Sequence, residues 1–405
     1  MNAGLLRATA TLVAGSVAAH ALPLILGPAL TRVYSPDDFG QFALLWAVSA
    51  NLAVVGCARY EFALPLERED PRAAQVMALC AHVLATVTAA SAAVGLVLVL
   101  WGDWGLAWTL PLAVLATAAV QWLMLWATRA QRFGLLSAAR FMQQGGGATL
   151  QLILGLAVGG PLGLVLGATV ASAGAAWMLA RPAPLGGWSA LRLQPWARLR
   201  AVAHHHRNFP LLNTPHAFLG ALQDTLTLVL VTAWTGDAAA GFWALALRYL
   251  KAPATLIGGA LSQALYPQLV AVQTRAEGRA LVRKAVAGLL AIACPVAALL
   301  MLWGPDLFVV VFGIEWSTAG HLARAMAIYI GLHFVASPLA VVTMAWNAQA
   351  WALRVSIAGQ CLFFLGLLAG LHWGGLPGAG WGISATMLLY FTYYLWSLAN
   401  WKDAR

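Results

Sequence analysis

Long apolar runs with almost no charge recur from one end of this chain to the other, and they decide most of what it can become. A helix needs about 20 apolar residues to cross a bilayer. Helices and closed barrels are the structures that satisfy every backbone polar group in lipid. Runs bounded by charge, Gly or Pro predict twelve spans, near residues 8–31, 38–58, 73–101, 105–128, 137–159, 161–180, 210–235, 238–267, 282–303, 318–345, 352–373 and 378–400. Twelve spans use about 240 residues, so a 405-residue chain leaves short loops and no sizeable extramembrane domain. Charged residues supply 9% of the sequence, against about a quarter in soluble domains. A soluble globular fold is excluded, and an all-α polytopic membrane protein is expected.

Two features of the termini and the cysteines bound the reading further. Arg7, an apolar run and Ala19-His20-Ala21 resemble a signal peptide with a small-residue cleavage site. The apolar run nevertheless continues through Leu22-Pro23-Leu24-Ile25-Leu26 to Leu30, so a retained first span is expected. Cys57, Cys80, Cys294 and Cys361 stand singly, without Cys-x-x-Cys or Cys/His ligand spacing, so neither a disulfide framework nor a zinc site is expected. His204-His205-His206 is a run of three, but consecutive positions do not share a helix face, and no metal site is expected there either.

Basic residues set the orientation. With both termini cytoplasmic, every Lys and Arg except Arg32, Arg248, Lys251 and Arg324 falls in an inner segment, while the outer loops carry Asp37, Asp38, Asp103, Asp237, Asp306 and Glu315. An error of one span would scramble this alternation. The net charge of +10 therefore reflects topology and attraction to anionic lipid, and no nucleic-acid partner is expected.

The chain also repeats itself. Thr31 and Gly40 return as Thr232 and Gly241, Leu100-Trp101-Gly102 as Leu302-Trp303-Gly304, and Ala130-Gln131 as Ala348-Gln349. The spacing of Gly159, Gly160, Gly163 and Gly167 reappears in Gly374, Gly375, Gly378 and Gly382. The expected organisation is two pseudo-symmetric six-helix lobes, residues 1–180 and 210–405, joined by a basic cytoplasmic linker at 181–209 whose Trp188–Arg207 stretch reads as an interfacial amphipathic segment. Six spans per lobe make the two repeats parallel, an arrangement in which the substrate site lies between the halves.

Thr31-Arg32-Val33-Tyr34-Ser35-Pro36-Asp37-Asp38-Phe39-Gly40, then Arg59-Tyr60-Glu61 and Leu64-Pro65-Leu66, open the chain. Asn208-Phe209-Pro210, Gly241-Phe242-Trp243-Ala244-Leu245, Arg248 ahead of Pro253, and Tyr266-Pro267 follow in the second half. This ordered set resembles the Wzx-type polysaccharide-repeat flippases of the multidrug, oligosaccharidyl-lipid and polysaccharide (MOP) exporter superfamily. The resemblance implies a MATE-like, V-shaped fold in the bacterial inner membrane, with the first two helices of each lobe lining a central cavity. It implies passage of an undecaprenyl-diphosphate-linked oligosaccharide from the cytoplasmic to the periplasmic leaflet for O-antigen, capsule or exopolysaccharide synthesis. It also implies coupling to a proton or sodium gradient with no bound cofactor, in a monomer able to associate with polysaccharide polymerase machinery. Lys251 stands where that family would place a small or apolar residue, so its role cannot be carried over.

Ionisable residues inside spans are costly unless they face a cavity or a partner. Asp224 precedes the turn at Gly236 by twelve residues and Arg248 follows Asp237 by eleven; both therefore sit roughly 16–18 Å below the outer surface. Lys251 is one turn on from Arg248, on the same helix face. Arg248 and Lys251 are the candidate diphosphate ligands, with Arg32 as an exit guide. Asp224 is the candidate coupling carboxylate, and His20 a candidate proton relay alongside His82 and His333. A static Asp224–Arg248 pair with Lys251 reaching an interface is the bland alternative. Arg59 and Glu61 are candidate cytoplasmic gate residues or topological anchors, and Arg324 is expected to pair or snorkel.

Pro23, Pro28, Pro253 and Gly258-Gly259 read equally as hinges or fixed kinks. The three lysines follow Leu, Arg and Trp, so no phosphate-binding G-K-[ST] loop exists and an ATP-driven pump is excluded. Catalysis by a membrane polymerase is disfavoured by the short outer loops. A multidrug or cation antiporter of the same superfamily is the nearest alternative, followed by a lipid II flippase.

Overall fold

The computed structural model describes residues 3–102, 104–181, 194–272 and 274–401. They form α1 (Ala3–Leu30), α2 (Pro36–Val54), α3 (Asp70–Trp101), α4 (Leu110–Arg129), α5 (Phe133–Phe141), α6 (Gly147–Ala157) and α7 (Gly160–Ala180). These are followed by α8 (Trp196–His205), α9 (Thr214–Thr235), α10 (Asp237–Ala271), α11 (Arg275–Phe312), α12 (Ser317–Ala345) and α13 (Gln349–Ala399). There is no strand among the described residues, and seven helices are long and apolar enough to cross a membrane. The chain is an all-α, multi-pass membrane protein.

Each predicted span has its helix, and two of them are built unexpectedly. The fifth span is α5 and α6 joined through a π-helical turn at Met142–Gly146. Gly145 lies at a crossing with α1, where a Cβ would come within 2.9 Å of the Leu22 side chain, so the glycine run permits close packing rather than breaking the span. The eleventh and twelfth spans are the two halves of α13, parted at Gly374 (φ −149°, ψ 19°) and Gly375 (φ 58°, ψ −145°). Part of the Trp188–Arg207 segment lies outside the described residues; its later portion is α8.

Local signals explain several helix boundaries. α2 begins at a reciprocal capping box: the Asp38 amide donates to Ser35 Oγ, and the Ser35 amide donates to Asp38 Oδ2 at 2.9 Å. α10 starts after Gly236, whose φ of 86° suits a residue without Cβ.

Two compact units, Met1–Val229 and Leu230–Arg405, divide within α9. In the first, α4 is central. Its Val120, Trp122, Leu123 and Trp126 pack with Val76, Met77 and Cys80 of α3, with Leu179 of α7 and with Leu199 of α8. In the second, α12 packs against α10, α11 and α13. The most apolar stretch of the segment containing α12 is 61% buried, against 11% for that of α11, which marks α12 as the interior helix and α11 as a peripheral one.

Candidate functional site

The motif at Thr31–Phe39 is a tightly tied turn. Arg32 is exposed, and its Nη1 donates to the Pro28 carbonyl at 2.9 Å, so the guanidinium caps the end of its own helix. Tyr34 is buried, with its hydroxyl donating to the Gln151 carbonyl of α6 at 2.6 Å and its ring edge-on to Phe39. Burial, and then the charge of Asp38, push the Tyr34 hydroxyl up to about 12. The turn thereby fixes the α1–α2 connection to the α6–α7 pair.

At the α2–α3 connection, Arg59 adopts a left-handed conformation (φ 62°). Its Nε donates to Asn213 Oδ1 at 3.0 Å, and its guanidinium lies 4.3 Å from the Phe62 ring centre. Asn213 ends a π-helical turn, Phe209–Asn213, that leads into α9. Glu61 is 2% exposed, and one of its carboxyl oxygens has no hydrogen-bond partner among the described residues. Burial raises its pKa to about 7, outweighing the opposing effects of its own backbone N–H and of Arg59. Tyr60 beside it is likewise raised by burial. Arg59 and Glu61 are thus neighbours with separate attachments, the arginine held to α9's start and the carboxyl enclosed.

Asp224 is exposed on α9. Next to it, Thr225 accepts a hydrogen bond from Asn51 Nδ2 at 3.5 Å and donates to the Ala47 carbonyl at 3.2 Å, linking α9 to α2. Arg248 and Lys251 are half-buried, one turn apart on α10. Asp224 belongs to the N-terminal unit and the two cations to the C-terminal one. Within the C-terminal unit, Tyr249, Pro253 and Ile257 of α10 line an apolar cavity of about 440 Å³ with Ile292 and Phe308 of α11 and Ile330 of α12. Tyr249 meets Phe312 at 4.6 Å between ring centres.

The remaining intramembrane candidates divide. His20 is exposed on α1. His82 donates through Nδ1 to the Ala78 carbonyl of its own helix at 2.8 Å, and the His333 ring packs beside Tyr329 and Phe391. Arg324 Nη2 donates to the Leu302 carbonyl at 2.9 Å, so its charge is held against α11. Pro23 and Pro28 lie within α1, and Pro253 within α10. Sequence reading did not single out Asn213, the Asn51–Thr225 link or Glu67, whose carboxylate meets His206 at 2.8 Å. An Asn or Glu at the end of an apolar run was the available signal, and it does not name a partner.

Residues 125–320 match a family described as polysaccharide biosynthesis protein. No curated protein matches the sequence. Among solved structures, the lipid II flippase MurJ in an inward closed conformation is similar with a TM-score of 0.68 at 10% identity, over 95% of this chain and 87% of that one. An inward-facing multidrug-resistance MATE transporter of the MOP superfamily gives 0.60 at 13% identity, over 96% and 99%. A mutant of the Vibrio cholerae MATE transporter VcmN gives 0.54 at 16% identity, over 98% and 95%. The family match and the shared fold agree with the resemblance carried by the opening motifs: just under half of the chain matches a polysaccharide-biosynthesis family, and the chain has the fold seen in MurJ and the MATE transporters.

Proposed function

We propose that the protein is a flippase that moves undecaprenyl-diphosphate-linked oligosaccharide units from the cytoplasmic to the periplasmic leaflet of a bacterial inner membrane, acting as a transporter and not as an enzyme. The observation that carries this reading is the pair of cations, Arg248 and Lys251, one turn apart inside an apolar helix. A diphosphate offers several anionic oxygens. Arg248 would engage two of them through its planar fork, and Lys251 would act as a compact charge one turn deeper. Organic-cation export by a MATE-like mechanism would favour acids at such a position. The polysaccharide-biosynthesis match supports the lipid-linked sugar over that alternative.

Proton coupling is the favoured energy source. Glu61 is enclosed at the α2–α3 connection and titrates near neutrality, so it can hold a proton on one side of the cycle and release it on the other; Asp224 and His20 are the further candidates. Because the folded-state pKa is raised above the ordinary 4.5, folding binds a proton between the two values. The associated stability is fully present below about pH 4.5 and is lost as pH rises through about 7, a change on the order of 3 kcal/mol. Glu61→Gln should flatten that dependence, measured by thermal unfolding in detergent between pH 5 and 8.

The decisive experiment is transport of a radiolabelled undecaprenyl-diphosphate oligosaccharide in proteoliposomes. Arg248→Ala and Lys251→Ala should each lower the rate tenfold or more with unchanged reconstitution. Wild-type rates in both variants would overturn the headgroup role.

A further inference from the structure

We propose that Glu67, His205 and His206 form a divalent-metal site, of zinc-binding chemistry, that ties α8 to the segment ahead of α3. The three side chains place their ligand atoms within 4.8 Å of one another, although Glu67 is separated from the histidines by most of the N-terminal unit's sequence. Neighbouring residues 205 and 206 would diverge on a continuous helix. Here His205 is the last helical residue, and His206 leaves the helix with φ −99° and ψ 21°. That change of backbone brings the two rings edge-to-face at 4.7 Å between centres.

The site is held in place by contacts that do not depend on an ion. Glu67 Oε1 and His206 Nε2 lie 2.8 Å apart, with both side chains only about a tenth exposed. The Glu67 amide donates to the Ala63 carbonyl, and the Glu67 carbonyl accepts from Arg129 Nε at 3.1 Å. The His206 ring sits against Phe209, and α8 itself is anchored by buried Leu199. His205 is exposed and gives an ion its route in.

The charges around the site leave room for a cation. Arg129 is engaged with Asp70 at 2.8 Å, and Arg207 lies 3.3 Å from His204 Nε2. His204 is therefore turned to the arginine and outside the ligand set. Two imidazoles and one carboxylate form a donor set suited to zinc and unlike the all-oxygen sets that hold magnesium or calcium. Three protein ligands leave a fourth position for water or a phosphate oxygen. An ion would replace the Glu67–His206 hydrogen bond and recruit His205, fastening α8 through three side chains instead of one.

Titration of tag-free protein in detergent with zinc against a chromophoric chelator tests this, with cobalt absorption as the second readout. The expected result is one zinc per chain and tetrahedral cobalt bands. Glu67→Gln and His205→Asn should each weaken zinc at least tenfold, while His204→Asn leaves it unchanged. His205 is exposed, so its substitution separates ligand loss from misfolding. Absence of zinc binding by folded wild-type protein would overturn the proposal. So would affinity that survives Glu67→Gln but falls in His204→Asn, since that pattern belongs to a bare histidine run.

Discussion

The α6–α7 hairpin of the N-terminal unit and the hairpin made by the two halves of α13 in the C-terminal unit share one glycine pattern and close in different ways. A shift of 215 carries Gly159, Gly160, Gly163 and Gly167 onto Gly374, Gly375, Gly378 and Gly382, and also Gly155 onto Gly370 and Gln151 onto Gly366. In the C-terminal hairpin the backbones touch directly. A Cβ on Gly378 would strike the Gly370 carbonyl, and one on Gly382 the Gly366 carbonyl.

In the N-terminal hairpin the backbones meet only at Gly167, where a Cβ would strike the Gln151 backbone, and nearer the turn a side chain fills the seam. A Cβ on Gly163 or Gly155 would strike the Tyr34 ring or hydroxyl, and Gln151 replaces the outermost glycine, its Nε2 donating to the Leu164 carbonyl at 2.9 Å. Membrane helices gain little from hydrophobic attraction to one another and depend on close packing and interhelical hydrogen bonds. The two hairpins use these two resources in different proportion.

The comparison predicts a graded set of effects, each read from thermal unfolding in detergent. Gly378→Ala should be the most damaging, by about 3 kcal/mol or more, because the opposing atoms are backbone and only a helix shift makes room. Gly163→Ala should cost about 1–3 kcal/mol, since the obstructing atom nearest it is the Tyr34 hydroxyl at 2.5 Å. Adding Tyr34→Phe should recover part of that loss despite removing the bond to Gln151, a coupling visible as non-additivity in a double-mutant cycle. No side-chain change should rescue Gly378→Ala; a rescue there would break the distinction between the hairpins.

Gly159→Ala and Gly375→Ala should cost about 1–3 kcal/mol each, and alike, because both pair a positive φ with a near-extended ψ that favours glycine, although open space lies where the methyl would go. Gly374→Ala, at φ −149° with nothing near, should change stability by less than about 0.5 kcal/mol.

The candidate site shows the same division between what a sequence reading reaches and what it misses. Arg248 and Lys251 stand out because a charge in an apolar run is conspicuous by itself, and Glu61 stands out within its motif. That Glu61 is enclosed while Arg59 reaches Asn213 depends on how α9 starts, through a π-helical turn whose Phe209-Pro210 is legible as a motif but does not reveal the turn's geometry. The convergence of Glu67 with His205 and His206 depends on where α8 stops. A helix boundary is the least legible feature of a sequence, because it is settled by tertiary contacts of comparable strength to local propensity.

The sequence by itself determined the membrane class, the positions of the spans and the repeated glycine pattern. Each of these follows from the solvation of single residues or from spacing along the chain, which need no knowledge of neighbours. Only the tertiary structure decided that Tyr34 wedges against the glycines of α6 and α7, that Gly370 and Gly378 bring two backbones into contact, and that Arg32 turns back onto its own helix. Those are pairwise facts: an apolar helix offers lipid and protein nearly equivalent surroundings, so hydropathy alone does not say which face meets which partner.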